Sequence, residues 1–199
     1  MTSSGWDSAA KHIPTGWLGG LGAGPGLTVS DVDETILVEE RGQLLEFSYT
    51  DMLCYAGPYS PAGVATAFKV MQRAFAALSG NQPPQRRSIV IRTAFAGPGA
   101  RDGFEAVTRA FTDGRYTVDP ALARPDRGRV LQSFVFHVII AGRAATLLLR
   151  KGFVTAEFID LAGKSERDQA EEAHLDQLKA QLAQRLLAAP AEDAYDVAE

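Results

Sequence analysis

Two segments of this 199-residue chain repeat one arrangement of groups able to hold a ligand. Tyr55-Ala56-Gly57-Pro58-Tyr59-Ser60-Pro61 stands ahead of one apolar-striped segment, and Phe95-Ala96-Gly97-Pro98-Gly99-Ala100-Arg101-Asp102 ahead of a second. In both, an aromatic residue and Ala-Gly-Pro precede a helix start. A helix N-terminus leaves its first backbone N–H groups without intrahelical partners, and its aligned peptide dipoles place partial positive charge there. Such an end receives an anion or a polar group. Ser60 adds a hydroxyl and Arg101 a guanidinium suited to oxyanions, while Tyr55, Tyr59 and Phe95 can wall a flat molecule. Tyr55, Gly57, Tyr59, Ser60, Gly99, Arg101 and Asp102 are therefore the expected binding residues for a small polar or anionic molecule. The plainer alternative is that Gly and Pro merely shape two turns.

Other reactive side chains are sparse. Cys54 is the single cysteine, which excludes an internal disulfide and a four-cysteine zinc site; a lone thiol is ordinarily buried and inert. His137 lies in Phe134-Val135-Phe136-His137-Val138-Ile139, where strand alternation sets it on one face with Val135 and Ile139. A thiol- or metal-dependent enzyme built on Cys54 and His137 is the competing reading, although no ligand spacing supports it. Asp102 and Glu105 could act as an acid–base pair, but a capping box accounts for both. Arg109 suits a solvated role as well as a ligand, and His12 and His174 fall in an arm and a terminal helix. The glycine-rich stretch GWLGGLGAGPG gives no G-x-G-x-x-G register, because Pro25 takes the third glycine position counted from Gly20. Catalytic residues and a cofactor are accordingly left unassigned.

The chain as a whole narrows the partners. Twenty Lys and Arg against 24 Asp and Glu give a net charge of −4, which argues against a nucleic-acid groove or an anionic membrane as partner. No stretch approaches the run of about 20 apolar residues that a membrane span needs. The N-terminus lacks the basic and apolar regions of a secretory signal, so a cytoplasmic location is expected.

Periodicity then places the elements that must hold the loops. Residues 1–27 read as a flexible glycine-rich arm packing through Trp6 and Trp17, and 28–38 as a short helix or strand. Thr50 would cap a helical turn bearing Met52, Leu53 and Tyr55. Val64, Phe68, Met71, Phe75 and Leu78 recur at helical spacing over 60–79, with Ser60 at the N-cap, Pro61 at the first turn and Gly80 past the end. A strand follows over 87–95, then a helix over 102–111 closed by Gly114. Strands are expected at 116–118, 129–141 and 144–150, with a hairpin tip at Gly142 and a further strand within 152–161. Leu175, Leu178, Leu182 and Leu186 mark an amphipathic helix over about 164–190, ended by Pro190 and followed by an acidic tail, 191–199. This order predicts an α+β domain over 28–163, a largely antiparallel sheet with helices on one face, plus the C-terminal helix. Contacts through the arm and terminal helix would make a structural or assembly protein, a third reading.

The two loops resemble those of the FmdE family, named for a component of formylmethanofuran dehydrogenase. That family opens one helix with a Phe-His-Gly-His-x-Cys-Pro-like signature, and its second unit with Cys-x-x-Asp, an apolar stretch and Thr-Gly-Cys-Thr. Tyr55 to Pro61 falls on the first motif, Gly99-Ala100-Arg101-Asp102 on the start of the second, and Val107-Thr108-Arg109-Ala110-Phe111 on its end. Residues 130–138 and 144–150 resemble the later strands, so the likeness covers roughly 45–160. It implies the sheet fold shared with the catalytic domain of glyceraldehyde-phosphate dehydrogenase, a homodimer, and a link to one-carbon or pterin metabolism. The family's metal-binding positions are here Ala56, Pro58, Ser60, Gly99 and Ala110, none of which supplies a thiolate or imidazole, so no metal is expected. Gly57, Pro61, Asp102 and Thr108 keep the framework.

Overall fold

The computed structural model describes residues 34–80 and 82–198; the expected arm at 1–27, with His12, Trp6 and Trp17, lies outside the described residues. Strands β1 (Thr35–Glu40) and β2 (Gln43–Ser48) form a separate antiparallel hairpin. Arg41 and Gly42 turn it with φ of 55° and 80°, the left-handed pair that matches strand twist in a two-residue turn. Helix α1 (Tyr49–Ala56) follows, and Ser48, not Thr50, is its cap. The Ser48 hydroxyl accepts from the Asp51 amide at 3.1 Å, and the Asp51 carboxylate accepts from the Ser48 amide at 2.9 Å. That carboxylate, three residues into the helix, decides the cap, because it closes a reciprocal box that Thr50 cannot.

Helix α2 (Pro61–Ser79) is the spine of the molecule. Its stripe of Val64, Phe68, Met71, Phe75 and Leu78 is buried as its periodicity dictates, and Gly80 follows its end. Beyond a 3-10 turn at Arg86–Ser88 comes β3 (Val90–Thr93), shorter than the 87–95 expected. Helix α3 (Pro98–Thr108) then leads to β4 (Tyr116–Val118), which pairs parallel with β3. Strands β5 (Val135–Ile140) and β6 (Arg143–Leu149) form a hairpin turned by Ala141 and Gly142, both at positive φ. The last strand is β7 (Tyr195–Ala198), and the five-stranded sheet runs β4-β3-β5-β6-β7, antiparallel except for β3 with β4.

One face of this sheet is buried. Ile91, Phe136, Val138, Leu147 and Leu149 point into the core, where the Phe136 ring lies 5.9, 6.0 and 6.1 Å from those of Phe95, Phe104 and Tyr195. The alternate residues Arg92, His137, Thr146 and Leu148 look the other way. The architecture is α+β, with an open sheet and a C-terminal helix.

Four further expectations are corrected. Helix α3 begins at Pro98 rather than Asp102, so Asp102 sits inside the helix and forms no capping box with Glu105. The helix ends at Arg109, left-handed at φ 55°, rather than at Gly114. Polar side chains make that end: Arg86 donates to the carbonyls of Ala106 and Val107 at 2.9 and 2.6 Å, and Arg115 to that of Thr108 at 2.9 Å. The buried Glu105 carboxylate meanwhile accepts from the amides of Phe111 and Thr112 at 2.8 and 3.2 Å. Third, the segment expected as a strand within 152–161 holds helix α4 (Ala156–Ala162), capped by the Thr155 hydroxyl.

The fourth correction concerns the C-terminal segment. Helix α5 (Gln169–Leu187) starts at the Asp168 cap and lays Leu182 and Leu186 into the main core. The acidic tail is no tail: α6 (Ala191–Ala194) turns the chain into β7, which adds a strand to β6. Tyr195 is fully buried there. Among the described residues no helix is long and apolar enough to cross a membrane.

Candidate functional site

The two Ala-Gly-Pro loops meet because the first turns of α2 and α3 touch backbone to backbone. A Cβ on Gly63 would lie 2.6 Å from the Ala100 nitrogen, and one on Gly99 2.7 Å from the Ser60 Cβ. Real Cβ atoms essentially never come that close to another heavy atom, so glycine at both positions is the condition for the approach. Pro61 and Pro98 begin the helices, where a missing N–H costs nothing. Neither start carries a side-chain cap: Gly97 has no side chain to offer, and Ser60 makes no capping bond.

Beside this contact opens a cavity of about 370 Å³. The loops contribute Tyr59, Ser60, Phe95 and Gly99; α2 contributes Ala62, Gly63 and Thr66. Phe134, and Phe158, Ile159 and Ala162 from α4, close a second side. Leu175, Lys179 and Leu182 of α5, with Arg167 just before it, close the third. Tyr59 is 75% exposed and stands at the rim, whereas Thr66 is 1% exposed. The bulk of the wall is therefore aliphatic and aromatic.

The charged groups around it have one sign. Arg167 and Lys179 line the cavity and no acidic side chain among the described residues does. Arg167 donates to Glu172 at 2.8 Å and to the Lys164 carbonyl at 2.8 Å, which fixes its guanidinium; Lys179 donates to Asp176 at 2.8 Å. Near Thr66 lies the Tyr195 hydroxyl, buried and without a hydrogen bond of ordinary geometry. Burial pushes the pKa of that phenol far above its usual value, an effect the Thr66 side chain partly offsets.

The expected site residues divide. Tyr59, Ser60 and Gly99 line the cavity. Tyr55, Gly57, Arg101 and Asp102 do not. Gly57 closes α1 at φ 87°, its amide donating to the Leu53 carbonyl at 2.8 Å, and Tyr55 is exposed on α1. Arg101 donates to Asp102 at 2.9 Å, and the Arg101 guanidinium lies 5.0 Å over the Phe111 ring. A guanidinium inside an α-helix points where the helix phase sends it, which here is over the Phe111 ring rather than into the cavity.

Cys54 and His137 are not brought together. Cys54 is exposed on α1, a helix that packs on α2 and α3, while His137 is on the sheet face turned away from the core. Its Nδ1 lies 3.0 Å from the Thr146 hydroxyl across the β5–β6 ladder. Among the described residues no group of three His, Cys, Asp or Glu side chains is placed to hold a metal ion.

Sequence reasoning missed Thr66, Phe134, Phe158, Arg167 and Lys179. Thr66 sits six residues after Ser60 and three after Gly63, and that helical spacing was a readable signal. The α4 residues had none, since their segment reads as a strand. No protein-family signature matches this chain, and no curated protein matches it either.

Proposed function

We propose that this protein binds a small molecule in the cavity between the α2 and α3 N-termini, using side chains and backbone rather than a metal. The observation that carries this reading is the junction of the two loops beside a cavity of about 370 Å³, within the size range of small-molecule sites. In the FmdE-like reading, Ser60 and Gly99 stand at two metal-binding positions, and their close approach supports a common ancestral site from which the ligating groups have gone. The framework residues have local work that supports the same kinship: Gly57 ends α1, Pro61 starts α2, and the Thr108 hydroxyl donates to the Phe104 carbonyl at 2.7 Å. On that kinship the protein is a homodimer and its ligand belongs to one-carbon or pterin-linked metabolism.

The test is occupancy. The fluorescent apolar anion 8-anilinonaphthalene-1-sulfonate should bind the native full chain at one saturable site. Ala162→Trp, at an exposed position on the cavity wall, should weaken that binding at least tenfold without lowering the melting temperature. Equal binding by the two proteins would count against the cavity.

A further inference from the structure

We infer that the ligand is an amphipathic carboxylate: one anionic head on an apolar, ring-sized body. This inference rests on the cavity being the binding site and adds the ligand's chemistry. Its first support is the sorting of the lining. Phe95, Phe134, Phe158, Ile159, Leu175 and Leu182 offer a body no hydrogen-bonding partner, so a sugar or another evenly polar molecule would leave its hydroxyls unsatisfied there.

The second support is polarity confined to one strip. Ser60, Gly63 and Thr66 follow one another at three-residue spacing on the cavity face of α2, beside Gly99 of α3. Two helices of 19 and 11 residues present their uncapped starts here, and the Ser60 hydroxyl is not spent on capping. Thr66 adds a buried hydroxyl to this strip. It is 1% exposed and lines the cavity, and its hydroxyl neighbours that of Tyr195. That Tyr195 hydroxyl, buried too, has no hydrogen-bond partner of ordinary geometry. A buried donor in that condition costs stability unless something else accepts from it.

The third support is charge. Two cations and no carboxylate line the space, and although each cation is paired with an acidic side chain outside the lining, the wall favours an anion over an ammonium group. Lys179 and Arg167 keep their own acidic partners, which limits the site to a single negative head rather than a multiply charged one.

Calorimetric titration of the full chain at pH 7 with three molecules of one skeleton tests this. They are 4-phenylbutyrate, 4-phenylbutan-1-ol and 4-phenylbutylamine. The carboxylate should bind at least tenfold tighter than the alcohol, and the amine more weakly than either. Ser60→Ala should cost the carboxylate about fivefold and leave the alcohol within twofold. Equal affinity for acid and alcohol, both lost in Ala162→Trp, overturns the anionic head and leaves the cavity reading standing. No binding by any of the three or by the naphthalene sulfonate overturns both.

Discussion

At Gly63 and Gly99 the absence of a side chain is the whole function of the residue. Each gives up helix propensity, about 1 kcal/mol against alanine, to let two helix starts share a contact. Gly63→Val would drive two methyl groups into the backbone of Gly99 and Ala100, which must move because backbone cannot change rotamer. Overpacking of this kind costs about 1–3 kcal/mol. We expect a melting temperature lower by several degrees together with weaker probe binding, measured by thermal unfolding and fluorescence titration. An unchanged protein would show that the helices can separate freely. Glu105 illustrates the opposite device, since its buried carboxylate completes a turn that backbone alone leaves open. Glu105→Ala would orphan the amides of Phe111 and Thr112, at about 1–3 kcal/mol, read as a lower denaturant midpoint.

Among the elements, β7 is the most consequential for the core. Tyr195 fills a slot against Phe136 and under α2, and its main chain pairs with Leu149. Tyr195→Ala removes a buried aromatic ring and should cost about 3–5 kcal/mol. Tyr195→Phe removes only a hydroxyl that lacks a good partner, so its stability should equal or exceed that of the native chain by chemical denaturation. Deleting 165–199 to separate assembly contacts from a folded core will instead unfold the core, because Leu182, Leu186 and Tyr195 belong to it. This element also shows where the sequence is mute. Tyr-Asp-Val-Ala alternates like a strand, but four residues in an acidic context carry too little pattern to outweigh composition. The 19-residue α2 was legible to its ends, because five apolar positions, a proline and a glycine agree. The loops are legible as a pair, yet Arg101, expected at the ligand, does not line the cavity. Spacing along a loop says nothing of the direction a side chain takes once the helix begins earlier than expected.

For the whole molecule, charge sets the response to acid. Hydrogen bonds from Arg87 and Arg86 hold the Glu40 carboxyl below its usual range, and Arg92 and Arg129 do the same for Asp119 and Asp160. Glu34 loses some of this to burial, but its bonds from Lys69 and Gln72 still leave it low. A carboxyl lowered in the folded state contributes stability in full above its unfolded value, about 3.8 for Asp and 4.5 for Glu, and loses it as pH falls through the folded value. His174 is raised by Glu157, so its small exposed contribution runs the other way, present below 6.5 and lost as pH rises through the higher folded value. The urea midpoint should therefore stay nearly flat from pH about 5 to 6 and fall below pH about 4.5. A midpoint rising on acidification would contradict these pairings.

If the cavity is the binding site proposed above, the glycine contact also decides how it can change over evolutionary time. One of its walls is main chain at van der Waals limits, which no point substitution can carve back. The opposite walls, Phe158, Ile159, Leu175 and Leu182, are ordinary side chains on α4 and α5. Selection for a different molecule would thus write its changes on the α4–α5 side and leave residues 63 and 99 as fixed points, so a lineage can drift in specificity while its pair of glycines stays put.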